Sequence, residues 1–340
     1  MRCWEIGPCA GIGGLRKRER SDPQPGPGEV VVKVTAAGLN YRDLMVLDGR
    51  YGANLPEARV PLSDGVGVVR ALGKGVRGIA PGQRVIAPHF TSWRDGPFSL
   101  AQFASDLGVT ADGWLADAVV IPADALIAVP DAVSDASAAA LAVAGATVWH
   151  AMIAFGEAGP GKLVLAQGTG GVSMIALKLA KAIGAQFAIT SSSQAKLERC
   201  RALGADFAID YRARPDWAAA LLETSGGRGV DVVVDTLGFP AMGETVASCA
   251  VEARIGTVGA LSGTPAAQAF ASQGAMIARN LTIKGIASGS RAMLAAALET
   301  IAQHRIEIVI DRRFAFDDAP AAYRHLVSGA HLGKVLIEVA

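Results

Sequence analysis

Two hydrophobic rhythms divide this chain. Up to about residue 127, short valine-rich runs are separated by clusters of glycine and proline, which predicts strands joined by tight turns. Strands are expected at 29–37, 65–73, 83–87 and 118–122, the first entered through the turn Pro23-Gln24-Pro25-Gly26-Pro27-Gly28. Many short strands with a turn at every join suit a small barrel. From about residue 128 the rhythm changes, and apolar runs alternate with helix-period segments. Strands are expected at 162–166, 186–190, 207–209, 230–234, 254–258 and 281–286, with helices between them. That alternation means a doubly wound parallel sheet with helices on both faces. A helix around 293–303, a second at 319–328 capped by Asp317 or Asp318 and stopped by Gly329, and a strand at 334–339 close the chain. Residues 136–155 are nearly free of polar side chains and long enough to span a bilayer. The run is mostly alanine, is broken by Gly145 and contains His150, so a buried helix or two short ones is expected.

The most informative stretch is 162–185: a buried strand, a glycine turn and a helix in which Val172, Ile175, Ala176, Leu179 and Ile183 share one face. Gly184 stands where a glycine would end that helix. Unpaired N–H groups and the positive end of the dipole make a helix start a natural seat for a pyrophosphate, and glycines let the backbone approach it. Gly168 and Gly170 match the first two glycines of G-x-G-x-x-G, while Ser173 takes the third place. Gly168, Thr169, Gly170, Gly171 and Val172 are therefore candidate dinucleotide contacts. The second strand of such a unit commonly ends in an acid that binds the ribose 2′-OH. Here it runs into Thr190-Ser191-Ser192-Ser193-Gln194-Ala195-Lys196, with no acid before Glu198. Hydroxyls and a lysine suit a 2′-phosphate, so Ser191, Ser192 and Lys196 favour NADP(H) over NAD(H). The same serines also suit a helix cap, and the two readings are compatible.

Charge and cysteine content narrow the class. With 340 residues and a net charge of +1, the chain has room for two cores and no footprint for nucleic acid or a membrane surface. Cys3, Cys9, Cys200 and Cys249 have neither a C-x-x-C pair nor framework spacing, which fits reduced thiols and a cytoplasmic location. The N-terminal MRCWEIGPC lacks the apolar core of a secretory signal.

The segments Ala36-Ala37-Gly38-Leu39-Asn40-Tyr41-Arg42-Asp43, Asp64-Gly65-Val66-Gly67-Val68-Val69, VRGIAPGQRV at 76–85, GTGGV at 168–172 and Leu203-Gly204-Ala205-Asp206 together resemble the medium-chain dehydrogenase/reductase superfamily over nearly the whole length. The resemblance implies an α/β protein: a GroES-like β-barrel catalytic domain from 1–127 and 289–340, and a Rossmann cofactor-binding domain over 128–288, with the active site in the cleft between them. Where zinc alcohol dehydrogenases carry metal ligands, this chain has Asn40, Ser63 and Val143, and no cysteine falls between His89 and Ala116. The five histidines are scattered without ligand spacing. The chain is thus more similar to the zinc-free, quinone oxidoreductase-like branch, in which Asn, Asp and Tyr stand at the metal site; Asn40, Asp43 and Tyr51 match them.

Without a Lewis acid, the acceptor must itself stabilise the charge that hydride addition creates, as a quinone or an α,β-unsaturated carbonyl does. The resemblance implies Asn40 as hydrogen-bond donor, Tyr51 as donor or proton source and Asp43 in an orienting role, and leaves Arg42 without one. Further cofactor contacts carry over by position to Thr147, Tyr211, Thr236, Leu237 and Gly259. The expected partners are a small-molecule substrate and a second copy of the chain, paired through the edge strand at 281–286. Two alternatives stay open: a zinc-free alcohol dehydrogenase or carbonyl reductase working through a tyrosine, and a non-catalytic NADP(H)-binding redox sensor.

Overall fold

The computed structural model describes residues 1–52, 55–259 and 272–339. Strands β1 (Arg2–Ile6), β2 (Leu15–Glu19) and β3 (Glu29–Leu39) lead to helix α1 (Tyr41–Leu47). Strands β4 (Asp64–Leu72), β5 (Arg84–Ile86), β6 (Ala118–Pro122) and β7 (Ile127–Ala128) follow. The alanine-rich run becomes α2 (Asp135–Ala138), α3 (Ala144–Val148) and a π-helical stretch, Trp149–Phe155. Then come β8 (Leu163–Gln167), α4 (Gly171–Ala182), β9 (Gln186–Ser191), α5 (Gln194–Ala202), β10 (Phe207–Asp210), α6 (Trp217–Thr224) and β11 (Val230–Asp235). After α7 (Met242–Ala247) the chain continues through β12 (Cys249–Thr257), α8 (Gln273–Ala278), β13 (Thr282–Gly285) and α9 (Arg291–Gln303). It closes with β14 (Ile310–Ala315), α10 (Ala319–Val327) and β15 (Lys334–Glu338).

These elements form two compact units, Met1–Ala146 with Gly289–Ala340, and Thr147–Ser288. The first division falls at 146/147, later than the expected 127/128. The reason is local: β7 pairs with β5, and α2 packs on β3 and β4, which ties residues up to 146 to the first unit.

In the first unit the sheet order is β14-β15-β3-β4-β5-β7, with β6 also pairing β3. Its interior is built by Val30, Val32, Val34, Leu39, Val69, Val85, Val119 and Ile121, the inward positions of alternating strands. The hairpin β1–β2 pairs Arg2↔Glu19 through Ile6↔Leu15 and was not expected, because Leu15–Glu19 buries only its first residue and shows no alternation. Helix α10 starts after Asp318, yet no carboxylate caps it by side chain; Asp317 instead pairs with Lys17 at 2.6 Å.

The second unit is a parallel six-stranded sheet ordered β10-β9-β8-β11-β12-β13. The chain fills one side of β8 and then crosses to the other, so the order reverses between β8 and β11. Helix α4 lays Ile175, Ala176, Leu179 and Ala180 against the sheet; Gly184, at φ 77°, ends it. Among the described residues no helix is long and apolar enough to cross a membrane.

Candidate active site

In the sheet of the second unit, the expected cofactor contacts collect at the carboxyl ends of the strands. Register sets Gln167 at the end of β8 level with Thr190, and Asp210 level with Ser191. Gly168 leaves β8 at φ 72°, a conformation open to glycine, and its N–H bonds Thr190 O at 2.8 Å. Gly170 then occupies the N-cap of α4, so Gly171 and Val172 form the helix mouth. Ser173, in the third glycine position, donates to Gln167 O at 2.8 Å and ties the helix to the strand. Thr236 Oγ1 donates to the same carbonyl at 2.9 Å from the far side of the switch point. Leu237 N–H bonds Asp235 Oδ1 at 3.1 Å, and a Cβ on Gly259 would lie 2.7 Å from Thr236 O. Glycine turn, Thr236, Leu237 and Gly259 therefore converge where open parallel sheets bind nucleotides.

The adenosine-side candidates form a second group. Ser191 is buried and its Oγ accepts Ser193 N–H at 3.3 Å. Ser193 caps α5 by accepting Lys196 N–H. The capping role thus falls to Ser193, leaving Ser191, Ser192 and Lys196 as the phosphate candidates. Tyr211 N–H donates to Ser191 O at 3.1 Å, and its side chain is exposed. Thr147 is buried near Ser288, with Oγ1 3.5 Å from Ser288 Oγ.

The first unit holds the other cluster. Asn40 follows β3 and is the N-cap of α1; it forms a capping box with Asp43, whose Oδ2 accepts Asn40 N–H at 2.7 Å. Lys334, the first residue of β15, is only 2% exposed. Its ammonium donates to Leu39 O at 2.8 Å, Asn40 Oδ1 at 2.8 Å and Asp64 Oδ2 at 2.7 Å. The other Asp64 oxygen accepts Val143 N–H at 2.6 Å. An ammonium has only donors, so the amide end of Asn40 facing it must be the oxygen. The Nδ2 end is buried with no partner among the described residues.

Behind Asn40, Arg42 Nη2 pairs with fully buried Asp106 at 2.5 Å, and its guanidinium lies 4.5 Å over the Tyr51 ring. His89 Nδ1 sits 2.8 Å from Asp106 Oδ1 and 2.6 Å from Arg42 Nη1, so it either donates to the first or accepts from the second. Burial pushes the His89 pKa down, and Arg42 adds to the effect; the ring is neutral at physiological pH. Burial also raises Tyr51, against the pull of Arg42. The Asp43 carboxyl is lifted to about 7, mainly by burial, with Arg42, the Asn40 N–H and Lys334 opposing and Asp64 assisting.

Lys334, Asp64, His89 and Asp106 carry much of this cluster and had not been singled out as site residues. One signal was available: Lys334 opens an otherwise apolar run, Val335-Leu336-Ile337, where a charge needs a buried partner. Trp93, Phe98 and Phe103 join Phe90 in an aromatic group, with Trp93 buried and Phe103 exposed.

The cluster does not fit a zinc ion. Asn40 Oδ1 already faces a cation, Ser63 Oγ donates to Leu107 O at 2.8 Å, and Val143 brings no side-chain ligand. Among the described residues, no group of three His, Cys, Asp or Glu is arranged to hold a metal.

Two family descriptions match the chain: the alcohol dehydrogenase GroES-like domain over residues 26–131, and zinc-binding dehydrogenase over 171–303. A zinc-type alcohol dehydrogenase-like protein of Schizosaccharomyces pombe is 36% identical over 97% of this chain and 96% of its own length. An acryloyl-coenzyme A reductase of Metallosphaera sedula is 30% identical, covering 95% and 96%. Among solved structures, an NAD-dependent alcohol dehydrogenase superposes with a TM-score of 0.90 at 30% identity, covering all of both chains. A mycobacterial protein complexed with NADPH gives 0.81 at 26% identity, again over all of both chains.

Proposed function

The chain belongs to the medium-chain dehydrogenase/reductase superfamily, and from that premise we propose that it is a zinc-independent oxidoreductase passing hydride from NADPH to a quinone or an α,β-unsaturated carbonyl. One observation carries the reading: the buried Nδ2 of Asn40, without a partner among the described residues and held as a donor by Lys334 on the oxygen side. A buried donor left unsatisfied costs about 1–3 kcal/mol, which an incoming oxygen would recover.

The reduced nicotinamide supplies hydride when bound, and the glycine turn 168–171, Val172, Thr236, Leu237 and Gly259 would hold the dinucleotide. Thr147 would serve the nicotinamide side, and Ser191, Ser192, Lys196 and Tyr211 the 2′-phosphate and adenosine. As hydride adds to the β-carbon of an enone, the C=C electrons move to the carbonyl oxygen. Asn40 Nδ2 donates to that oxygen as its negative charge grows. The proton that completes reduction reaches the α-carbon from Tyr51 or from water. Asp43 sets the backbone of Asn40, and the Arg42–Asp106 pair seats Tyr51. A saturated ketone lacks the conjugated sink and would need stronger assistance. The acryloyl-coenzyme A reductase among the relatives supports a conjugated acceptor, and the NADPH complex supports the cofactor; the NAD-dependent neighbour keeps NADH in the test.

Residues 147–288 would form the cofactor unit and the remainder the catalytic unit of a cytoplasmic homodimer joined through β13, whose outer edge pairs with no strand among the described residues. Light scattering would return twice the chain mass if so. The deciding experiment is steady-state oxidation of NADPH and NADH against quinones, enones and simple ketones, after dialysis against a chelator. Turnover of conjugated acceptors with NADPH supports the proposal. Turnover confined to alcohols and ketones, activity that needs added zinc, or nucleotide binding without any oxidation overturns it.

A further inference from the structure

We infer that Lys334, from the last strand of the chain, is the positioning residue that decides which end of the Asn40 amide meets the substrate. This rests on Asn40 being the donor to the acceptor oxygen. Backbone pairing leads to it directly: Val335 lies opposite Leu39, so Lys334 comes level with Asn40, while Gly38 pairs with Asp64. Three strand ends therefore meet around one ammonium, and each of its N–H groups has an acceptor: Leu39 O, Asn40 Oδ1 and Asp64 Oδ2.

An asparagine amide can turn over with little change in shape, exchanging its oxygen and nitrogen. In solution both orientations are equally satisfied by water. Here a turned amide would set NH2 against NH3⁺, losing one charge-assisted hydrogen bond and bringing two donors together in a buried site. Asp64 holds the ammonium in place, and Val143 N–H holds Asp64. Lys334 thus locks a donor, rather than an acceptor, on the side of the amide away from its ammonium. Such a lock favours substrates whose oxygen gains negative charge over those that must donate a hydrogen at that point.

The test pairs K334M with D64N, so that no buried charge is left alone. In the cofactor-free protein, the Asn40 side-chain amide NMR signal, identified by its loss in N40A, should move in K334M/D64N. With NADPH and a quinone, K334M/D64N should lower kcat about 10- to 100-fold, somewhat less than the loss of one oxyanion donor. NADPH affinity should stay within about twofold, and adding N40A should cost little more than N40A alone, because both act through one amide. An unmoved signal, an unchanged kcat, or losses that multiply would overturn the inference. If K334M/D64N does not fold, N40D serves instead: it keeps an oxygen for Lys334 and discards the donor. It should fold and lose about 100-fold or more in kcat; retained kcat would overturn the inference. If the wild type reduces no acceptor, the proposed function fails on its own, and the signal of the cofactor-free protein still decides the role of Lys334.

Discussion

Asp43→Asn isolates the most perturbed carboxyl near the site. In the unfolded chain an aspartate has its ordinary value near 3.8, whereas in the fold Asp43 is raised to about 7. The difference of roughly three units corresponds to about 4 kcal/mol. The sign follows from proton binding. Below about pH 4 both states carry the proton and the penalty vanishes. Between about pH 4 and 7 the native state keeps a proton that the unfolded chain has released, so stability falls as pH rises; above about 7 the penalty is complete. The amide introduced by D43N would be neutral throughout, and its carbonyl can still accept the Asn40 N–H. Urea unfolding of both proteins across this range should give nearly equal stabilities at about pH 4 and an advantage of about 2–4 kcal/mol for the variant at about pH 8. Taking the difference removes contributions shared by both proteins, such as that of His89. A difference that does not vary with pH, or a variant less stable at about pH 8, would refute the assignment of burial as the governing effect.

Asn40→Ala should lower kcat/KM about 10²- to 10³-fold. Its stability should change by no more than about 2 kcal/mol, because the lost bond to Lys334 is offset by removing an unsatisfied donor. Kinetics and thermal melts together check this. Ser192→Ala with Lys196→Ala should weaken NADPH binding about tenfold while leaving NADH unchanged, as the 2′-phosphate alone distinguishes them; fluorescence titration reads it. Gly168→Val forces a branched side chain into positive φ and should weaken binding of both nucleotides, at a stability cost of about 1–2 kcal/mol in melts. Dialysis against a chelator should leave quinone reduction intact, and metal analysis of the active protein should find no stoichiometric zinc.

Elements whose physics is local were legible in the residues alone. The glycine turn after β8, the helix it opens and the positive φ of Gly168 and Gly184 follow from residue type and spacing alone. The alternation of strand and helix settled the parallel sheet, and with it the collection of Thr236, Leu237, Ser191 and Tyr211 at one edge. Asn40 and Asp43 were named through the family resemblance, and the structure joins them in a capping box. The rest depends on contacts between residues far apart in the chain. Lys334 reads as an ordinary strand residue until pairing brings it to Asn40, 294 positions earlier. Arg42 has no evident task until Asp106 and His89 arrive from another segment. The charged strand β2 becomes visible through its register with β1. Periodicity and propensity act over a few neighbours, but the orientation of a buried amide is set by whichever charge the fold carries to it.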